Sequence, residues 1–258
     1  MRQVLVTGAN GQLGLSIRDL QTTYPNIDFV FNTREQLDIT NKDQVKDIFD
    51  SGNFDFCINC AAYTDVEQAE KTPAIAYKIN AEGVKNMALA CKEYNVVLIH
   101  ISTDYVFDGE KGLPYTVDDL PNPINEYGKS KWEGEKHVQG ILKNYFIVRT
   151  SWLYHKEYGK NFYKTILEKA KQGLPIQVTD GQIGCPTNAV NLAQFILGLI
   201  TLENSTYGIS HYTDGESMTW YEFSKKIIAE NNLSSVATVV RDNNYRSFAK
   251  RPRQSILN

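Results

Sequence analysis

The fold is decided by Gln3-Val4-Leu5-Val6-Thr7-Gly8-Ala9-Asn10-Gly11-Gln12-Leu13-Gly14, close to the start of the chain. A short apolar run leads into glycines spaced G-x-x-G-x-x-G, and a helical pattern follows at residues 15–20. Glycine allows positive φ and lets backbone N–H groups approach a pyrophosphate at a helix N-terminus. The stretch therefore predicts a dinucleotide-binding βα turn, with an ordinary βα turn as the alternative.

Strands and helices alternate through the first half of the sequence. The predicted strands are apolar runs at residues 3–6, 28–31, 56–60, 96–101 and 145–149. The helical patterns between them lie at residues 15–23, 42–49, 74–94 and 127–143, and Thr72 and Pro73 are expected to start the third. This order predicts an α/β fold, a Rossmann-type doubly wound parallel sheet.

The regular alternation ends near Thr150. Beyond it, helical patterns lie at residues 161–172, 189–202 and 220–232, and short extended pieces lie at 176–178, 207–212 and 237–240. We therefore expect residues 1–150 to form the dinucleotide-binding domain. Residues 151–258 are expected to form mainly a smaller C-terminal substrate-binding lobe, with some segments returning to the main sheet.

Composition excludes several classes of protein. The 258 residues are 42% apolar and 22% charged, which is ordinary for a globular protein. A net charge of −3 without a Lys/Arg block gives no field that attracts nucleic acid. No apolar stretch approaches the roughly 20 residues that span a bilayer, and Met1-Arg2-Gln3 leads directly into the first strand. We expect a cytoplasmic protein that binds neither nucleic acid nor membrane.

The four cysteines and four histidines lack metal-ligand spacing. Cys57-Ile58-Asn59-Cys60 is formally a C-x-x-C motif, but strand positions three apart point to opposite faces of a sheet. Neither Cys91 nor Cys185 belongs to a second pair. Buried reduced thiols are therefore expected, and no metal site.

Tyr127 and Lys131 form a Tyr-x-x-x-Lys pair on a predicted helix. Residues four apart share one helix face, so the phenol and the ammonium can meet. The ammonium is expected to lower the pKa of the phenol from its usual value of about 10, which would make it a proton donor near neutral pH. The spacing is common by chance, and a solvated helix turn is the alternative.

A third polar group follows the predicted strand at residues 96–101. In an open parallel sheet, ligands bind outside the carboxyl ends of the strands, which places the Thr103 hydroxyl at the rim of the glycine turn. Alone, a threonine there is usually a cap or turn residue. A dinucleotide cradle, a hydroxyl that holds a carbonyl and a Tyr–Lys pair that exchanges its proton together predict hydride transfer.

Taken together, these residues resemble the extended short-chain dehydrogenase/reductases, and more closely the dTDP-4-dehydrorhamnose reductases. The resemblance runs through nearly the whole chain. Its most specific segments are S-T-D-Y-V-F-D-G, at Ser102 to Gly109, and R-T-S-W, at Arg149 to Trp152. The other matching segments are Val6 to Gly14, Leu37-Asp38-Ile39-Thr40, Asn59 to Thr64 with Ala69-Glu70, Tyr127 to Lys131 with Gly134-Glu135, Asp180 to Gly184 with Pro186-Thr187, and Arg251-Pro252 with Ser255.

The resemblance implies a reductase of the 4-keto group of dTDP-4-dehydro-L-rhamnose, giving dTDP-L-rhamnose for cell-surface polysaccharide. Tyr127 would donate a proton to the carbonyl oxygen as hydride arrives from the nicotinamide. Lys131 would hold the nicotinamide ribose and tune Tyr127, and Thr103 would bind the carbonyl. These three residues are the implied catalytic set.

The resemblance also implies two sets of binding residues. Cofactor-binding residues would be Gly8, Asn10, Gly11, Gln12, Leu13, Gly14, Arg34, Asp38, Ile39, Ala61, Ala62, Tyr63, Ser102 and Lys131. Substrate-binding residues would be Thr103, Asp104, Val106, Trp152 and Arg251. For Trp152 the alternative is a core position. Arg251 lies in the basic cluster Lys250-Arg251-Pro252-Arg253, which would meet the substrate's diphosphate or form a solvated tail.

The residues after the second predicted strand bear on cofactor choice. An NAD-preferring fold often ends this strand with a carboxylate, whereas this chain has Asn32-Thr33-Arg34. Because an arginine suits a 2′-phosphate, the sequence favours NADPH, with NADH as the alternative. The other interpretation of Arg34 is a solvated loop residue.

Two departures from the relatives concern assembly. Some relatives form a magnesium-bridged dimer through a glutamate just after the third glycine, where this chain has Ser16. We therefore expect no metal, and a homodimer without one stays an option. Relatives usually continue through another helix after the segment that matches Arg251 to Ser255. The resemblance therefore does not describe the edge of the smaller lobe that this helix would form.

Two other functions fit parts of the pattern. Nucleotide-sugar dehydratases and epimerases share the fold, but dehydratases resemble S-T-D-E where this chain has Ser102-Thr103-Asp104-Tyr105, so one proton carrier is missing. A non-catalytic regulatory subunit would tolerate loss of Tyr127, Lys131 or Thr103, and all three are present. The sequence favours simple reduction over both.

Overall fold

A parallel sheet with helices on both faces forms the centre of the protein. The computed structural model describes residues 1–201 and 206–258. Its strands are β1 (Arg2–Thr7), β2 (Ile27–Asn32), β3 (Phe56–Asn59), β4 (Val97–Thr103), β5 (Tyr145–Thr150), β6 (Leu153–Tyr154), β7 (Ile176–Val178), β8 (Ile183–Gly184), β9 (Thr187–Asn188), β10 (Gly208–His211), β11 (Met218–Thr219) and β12 (Val239–Arg241). Its α-helices are α1 (Gln12–Leu20), α2 (Lys42–Ser51), α3 (Val66–Lys71), α4 (Pro73–Tyr77), α5 (Val84–Glu93), α6 (Glu126–Ile141), α7 (Phe162–Lys171), α8 (Ala189–Thr201) and α9 (Trp220–Glu230).

Within the described residues, the main sheet has six strands in the order β10-β5-β4-β3-β1-β2, and every neighbouring pair is parallel. The order reverses direction between β1 and β3, so the chain winds outward from the middle of the sheet on both sides. The predicted Rossmann-type fold is confirmed, and all five strands predicted in the first half are present. Such a reversal leaves a crevice outside the carboxyl ends of the central strands.

Alternation along each strand supplies the apolar residues of both faces. On β1, Val4 and Val6 pack under α1 and α8, whereas Leu5 packs under α2, α5 and α6. Successive strand side chains point to opposite faces, so a continuous apolar run is what a sheet covered on both sides requires. The same rule separates the two thiols of the C-x-x-C motif, since Cys57 lies in one apolar layer and Cys60 packs against the other.

Two segments from the second half of the chain pack on the main sheet. Strand β10 pairs with β5, with Ile209 opposite Ile147. Helix α8 packs on the same face as α1 through buried residues such as Leu192 and Ile196. Leu202, the last residue of the predicted helix, lies outside the described residues. The second half therefore contributes to both parts of the molecule.

The rest of the second half forms a separate apolar cluster beside the sheet. Helices α7 and α9 pack on the short pair β7–β12 and on β11, and Tyr163, Ile166, Ile176, Phe223 and Ile227 are at most 3% exposed there. Asn161 and Thr219 cap the two helices, and Thr219 forms a capping box with Glu222. This cluster is the smaller lobe that the sequence predicts.

The helix predicted at residues 74–94 is interrupted. Helix α4 ends at Tyr77, a π-helical turn spans Lys78–Gly83, and α5 begins at Val84. A Cβ on Gly134 would lie 2.2 Å from the Asn80 carbonyl oxygen, so the turn packs its backbone directly on α6. Pro73 starts α4 as predicted, but the Thr72 hydroxyl donates to the Gln68 carbonyl instead of capping the helix.

Candidate active site

A cleft of about 580 Å³ opens at the carboxyl ends of β1, β4 and β5. Eleven of the residues that the resemblance implies for binding or catalysis line it: Gly11, Gln12, Leu13, Gly14, Ala62, Ser102, Thr103, Asp104, Tyr127, Lys131 and Trp152. The remaining lining residues are Cys60, Thr64, Val66, Ile101, Tyr105, Thr150, Leu153, Tyr154, Gly159, Lys160, Asn161, Phe162, Trp220 and Phe223. The glycine turn, the Thr103 segment and the Tyr–Lys pair therefore share one cavity.

The start of α6 presses Tyr127 against the segment that follows β4. The Asn125 side chain caps the helix by accepting from the Gly128 N–H at 2.8 Å. A Cβ on Gly128 would lie 2.1 Å from the Tyr105 carbonyl oxygen, so only glycine allows this approach. The rings of Tyr105 and Tyr127 meet edge to face with centroids 5.9 Å apart.

The pKa of Tyr127 differs from the sequence-based expectation. Burial raises it, and a hydrogen bond between Tyr127 and Thr103 opposes the rise only in part. The Lys131 ammonium is turned towards β4, where it donates to the Ile101 carbonyl at 2.6 Å. The prediction that Lys131 lowers the pKa of Tyr127 is therefore wrong for this structure, because burial raises that pKa and Lys131 is not among the groups that oppose the rise. Tyr127 therefore carries its proton near neutral pH, as a proton donor must.

Lys131 is 2% exposed, and burial lowers its pKa to about 8, against the opposing charge of Glu135. It therefore stays largely protonated near neutral pH. Glu135 follows Lys131 by one turn of α6 and pairs with Arg149 of β5, with Nη2 2.7 Å from Oε2 and Nε 3.0 Å from Oε1. A buried bidentate pair thus lies directly behind the cationic side of the cleft.

Three glycines of the βα turn have different roles. Gly8 has φ +62°, and a Cβ there would lie 2.7 Å from the Ala61 nitrogen. On Gly14 a Cβ would lie 2.7 Å from the Ala9 Cα, so this glycine packs the helix against the turn. Gly11 caps α1 from the edge of the cleft, and the first turn of the helix contains no acidic residue. The N-terminal N–H groups of α1 are therefore open to an anion.

Replacing Gly8 with alanine is expected to lower the free energy of unfolding by about 2–4 kcal/mol, because a side chain adds left-handed backbone strain and a clash. Gly112 is a matched control, since it has φ +73° but a Cβ there would have no atom within 4 Å. Gly112→Ala should cost only about 1 kcal/mol. Urea unfolding of both variants measures the difference, and equal losses would contradict a role for the close approach to Ala61.

Two buried hydroxyls at the cleft are free to bind a ligand. Among the described residues, Ser102 Oγ and Thr150 Oγ1 are buried without a hydrogen-bond partner, and both residues line the cavity. Buried polar groups are normally paired, so each unpaired hydroxyl indicates a position for a ligand group. With the open N-terminus of α1, they make the cleft a good fit for a dinucleotide.

Gln12 joins the glycine turn to the smaller lobe. Its Nε2 donates to the Leu153 carbonyl at 3.1 Å, and its Oε1 accepts from Asn161 Nδ2 at 3.2 Å. Asn161 in turn caps α7 through the Lys164 N–H. The residue expected to hold the pyrophosphate therefore also fixes one wall of the cleft.

An aromatic wall on the smaller lobe was missed by sequence reasoning. The rings of Trp152 and Trp220 stack with centroids 3.4 Å apart and planes 5° apart, and Phe162 packs on Trp220 at 4.3 Å. Trp152 has φ +46°, a left-handed conformation that is unusual for a bulky residue. Trp152 thus lines the cleft as predicted. Trp220 starts a helix 68 positions further on, and no local signal links it to Trp152.

Several predicted cofactor residues lie away from this cavity. Asn10 and Arg34 are exposed on the turns after β1 and β2. The Asp38 carboxylate accepts from the Thr40 N–H, and Ile39 is 3% exposed in the apolar layer under α5. Gly8, Ala61 and Tyr63 shape the backbone beside the cleft without lining it. Their contact with a cofactor stays a prediction.

Three predicted substrate residues are placed differently from expectation. Asp104 lines the cleft, but its carboxylate accepts hydrogen bonds from hydroxyl groups behind it. Val106 is fully buried in a cluster with Phe107 and does not line the cleft. Arg251 is no solvated tail residue, since its Nη2 donates to Glu67 Oε1 at 2.8 Å. Val106 has no exposed surface through which to contact a substrate in this structure. Contact of Arg251 with substrate stays a prediction, since Arg251 does not line this cavity.

Ser16 is buried, and its hydroxyl donates to the Gln12 carbonyl at 2.8 Å. Within residues 1–201 and 206–258, no group of three or more His, Cys, Asp or Glu side chains is placed to hold a metal ion. No helix in the described part of the chain has the length and apolar character needed to cross a membrane.

Comparison with known proteins identifies the family of the chain. A family model described as the RmlD substrate binding domain matches residues 1–258. The dTDP-4-dehydrorhamnose reductase of Aggregatibacter actinomycetemcomitans is 39% identical, with 100% of this chain and 90% of the relative covered. The dTDP-4-keto-6-deoxy-D-glucose reductase of Streptomyces niveus is 37% identical, with 86% and 76% covered.

A solved structure gives the same result. The crystal structure of dTDP-4-dehydrorhamnose reductase from Bacillus anthracis str. Ames in complex with NADP superposes with a TM-score of 0.93 at 41% identity. The match covers 100% of this chain and 91% of that one. Since the family model and the Aggregatibacter relative extend over the whole chain, the predicted family is confirmed. The chain belongs to the dTDP-4-dehydrorhamnose reductase family of NAD(P)H-dependent oxidoreductases.

Proposed function

We propose that this protein reduces the 4-keto group of dTDP-4-dehydro-L-rhamnose to dTDP-L-rhamnose with NADPH. The observation that carries the proposal is the meeting of Thr103, Tyr127 and Lys131 in one cleft with the open N-terminus of α1. The name of the Aggregatibacter relative and the NADP in the Bacillus structure support the same activity.

The residues of this chain would bind and orient both reactants. The α1 N-terminus and Gly11 would hold the pyrophosphate, and the Lys131 ammonium would hold the nicotinamide ribose. When bound, the nicotinamide supplies hydride to the carbonyl carbon. Tyr127, whose raised pKa keeps its proton, would donate that proton to the carbonyl oxygen, and Thr103 would fix the oxygen in place. The stacked pair Trp152–Trp220 would form the apolar wall against the sugar.

A turnover assay tests the activity. Incubation with dTDP-4-dehydro-L-rhamnose and NADPH should consume one equivalent of NADPH for each dTDP-L-rhamnose formed, measured at the nicotinamide absorbance band. Product without net cofactor consumption would indicate an epimerase or a dehydratase. No product and no consumption, with NADPH binding intact, would favour a regulatory subunit.

A second substrate belongs in the same assay. The Streptomyces relative is named for dTDP-4-keto-6-deoxy-D-glucose, which differs from the proposed substrate in sugar stereochemistry. Higher kcat/KM with that sugar would replace the proposed substrate while keeping the reaction class. The cytoplasmic location and the homodimer stay predictions, to be checked by cell fractionation and by sedimentation.

Arg34→Ala is expected to raise the Kd of NADPH about tenfold and to leave the Kd of NADH nearly unchanged, because a contact to the 2′-phosphate contributes about 1.4 kcal/mol at an exposed site. Arg34 is exposed just after β2, where the ribose of the adenosine half is expected. Isothermal titration with both cofactors measures the split, and NADH serves as the internal control. Equal changes for both would identify Arg34 as a solvated loop residue.

A further inference from the structure

Asp104 is a buried carboxyl group that three hydroxyls surround. The residue is 2% exposed, although it follows Thr103 directly at the edge of the cleft. Its Oδ2 accepts from Ser151 Oγ at 3.1 Å and from Ser255 Oγ at 2.5 Å, and its Oδ1 lies 3.0 Å from Thr103 Oγ1. The reaction as proposed does not use either carboxylate oxygen.

The donors to Oδ2 have fixed directions. Ser151 Oγ accepts from the Cys185 N–H at 3.4 Å, so its own proton is free for Asp104. Ser255 is held by its backbone N–H, which donates to the Ile183 carbonyl at 3.0 Å, and its hydroxyl points at Asp104. Because two hydroxyls already donate to Oδ2, a proton bound by this carboxyl group would reside on Oδ1. There it would face Thr103.

The Thr103 hydroxyl has one proton and two acceptor positions. One acceptor position is filled by the Tyr105 N–H, at 3.1 Å. If Asp104 is ionised, the Thr103 proton goes to Oδ1, and Thr103 can only accept from the phenol of Tyr127. It would then draw the Tyr127 proton away from a substrate. If Oδ1 carries a proton, Asp104 donates to Thr103, and the Thr103 proton is free to point into the cleft.

We propose that Asp104 is a positioning residue which, by keeping a proton on Oδ1, turns the Thr103 hydroxyl towards Tyr127 and the substrate carbonyl. This role rests on the reduction proposed above. In this arrangement Thr103 donates to the carbonyl oxygen and Tyr127 is free to deliver its own proton to it. Asp104 keeps its proton throughout, so it orients the catalytic hydroxyl without entering the reaction.

The surroundings of Asp104 favour the protonated form over a wider pH range than usual. Burial raises the pKa of Asp104 to about 6, and the hydroxyls of Ser255, Thr103 and Ser151 oppose the rise. The ionisable groups that face it are the phenols of Tyr105 and Tyr127 and the Cys185 thiol, all of which are neutral near pH 7. Behind Tyr105, the Arg251 guanidinium is paired with Glu67.

The protonation of Asp104 sets how kcat/KM depends on pH. The protonated fraction of Asp104 falls as pH rises through about 6, so kcat/KM should fall along a limb with that midpoint. Asp104→Asn places an amide oxygen at the Oδ2 position and an amide NH₂ at the Oδ1 position. The amide donates to Thr103 at every pH, and the limb should disappear. At about pH 7, one pH unit above the midpoint, this variant should exceed the wild type about tenfold in kcat/KM, and at about pH 8 about a hundredfold.

A second variant moves the limb without removing the carboxyl group. Ser255→Ala removes a donor that lowers the pKa of Asp104, so the falling limb should shift to higher pH. Simple damage to the site would lower activity without this shift. Ser224→Ala is the matched control, since Ser224 is equally buried but its hydroxyl donates to the Trp220 carbonyl within α9. It should leave the midpoint where it is in the wild type.

The decisive experiment has two parts. The first measures these pH profiles of kcat/KM from about pH 5 to about pH 9. The second follows the infrared band of the protonated Asp104 carboxyl group over the same range, isolated by subtracting the spectrum of Asp104→Asn from that of the wild type. A limb lost in Asp104→Asn, shifted upward in Ser255→Ala and matched by the infrared midpoint would support the role. An unchanged limb in Asp104→Asn, or a folded, NADPH-binding Asp104→Asn protein more than about tenfold slower at every pH, would overturn it. Absence of turnover in the wild type would instead defeat the proposed reduction, and the infrared midpoint would still report whether Asp104 holds its proton.

Discussion

Tyr127→Phe is expected to lower kcat by about 10²–10⁴, the range that a positioned general acid contributes. The change removes only the phenol oxygen, so the ring keeps its edge-to-face contact with Tyr105. Affinity for NADPH should stay within about twofold, because Lys131 and the open end of α1 are untouched. Pre-steady-state reduction of the keto-sugar and a separate cofactor titration measure the two quantities.

Tyr115→Phe is the matched control for this substitution. Tyr115 is 4% exposed, and its phenol donates to Asp108 at 2.6 Å, away from the cleft. Losing that hydrogen bond and the acceptor of the Gly109 and Lys111 N–H groups should cost about 1–3 kcal/mol of stability and leave kcat nearly unchanged. If Tyr127→Phe kept kcat within about tenfold of the wild type, another group would have to supply the proton.

Arg149→Met is expected to lower the free energy of unfolding by about 3–5 kcal/mol, because it leaves the Glu135 carboxylate buried without its partner. Both side chains are at most 2% exposed, and three hydrogen bonds join them. For a chain of this size the loss corresponds to a fall in Tm of about 10 °C. Urea unfolding with an unchanged slope would identify the loss as one of stability.

Two further variants separate this charge effect from others. In Arg149→Met/Glu135→Leu both charges are gone, so most of the lost stability should return. Lys46→Met breaks an exposed pair with Asp50, whose side chains are 58% and 48% exposed, and should cost less than about 1 kcal/mol. A small effect of Arg149→Met itself would mean that water reaches Glu135 in the variant.

The local parts of the site could be predicted because their chemistry depends on short spacings. The glycine turn predicted a βα junction, and Gly8 and Gly14 indeed take up close backbone contacts there. Four-residue spacing placed Tyr127 and Lys131 on one helix, and both line one cleft. The position of Thr103 at the end of β4 followed from the rule that ligands bind outside the carboxyl ends of parallel strands.

Other parts of the site could not be predicted, because they join residues far apart in the chain. The Trp152–Trp220 stack requires the smaller lobe to fold back on the sheet. Arg251 was expected to meet the substrate's diphosphate or to belong to a solvated tail, but the contact with Glu67, 184 positions away, pairs it with α3. A pattern within one helix or strand contains no information about such contacts, since many sequences with the same pattern would pack differently.

By itself, the sequence determined the α/β alternation, the glycine turn and the set of reactive groups, because these depend on periodicity and on side-chain chemistry within a few residues. Tertiary structure decided how those groups behave. Burial raises the pKa of Tyr127 where charge spacing alone predicted a fall, and folding brings Ser255 to Asp104 across 151 positions. The pKa of a side chain depends on its contact with water, and the packing that excludes water from it exists only in the folded chain.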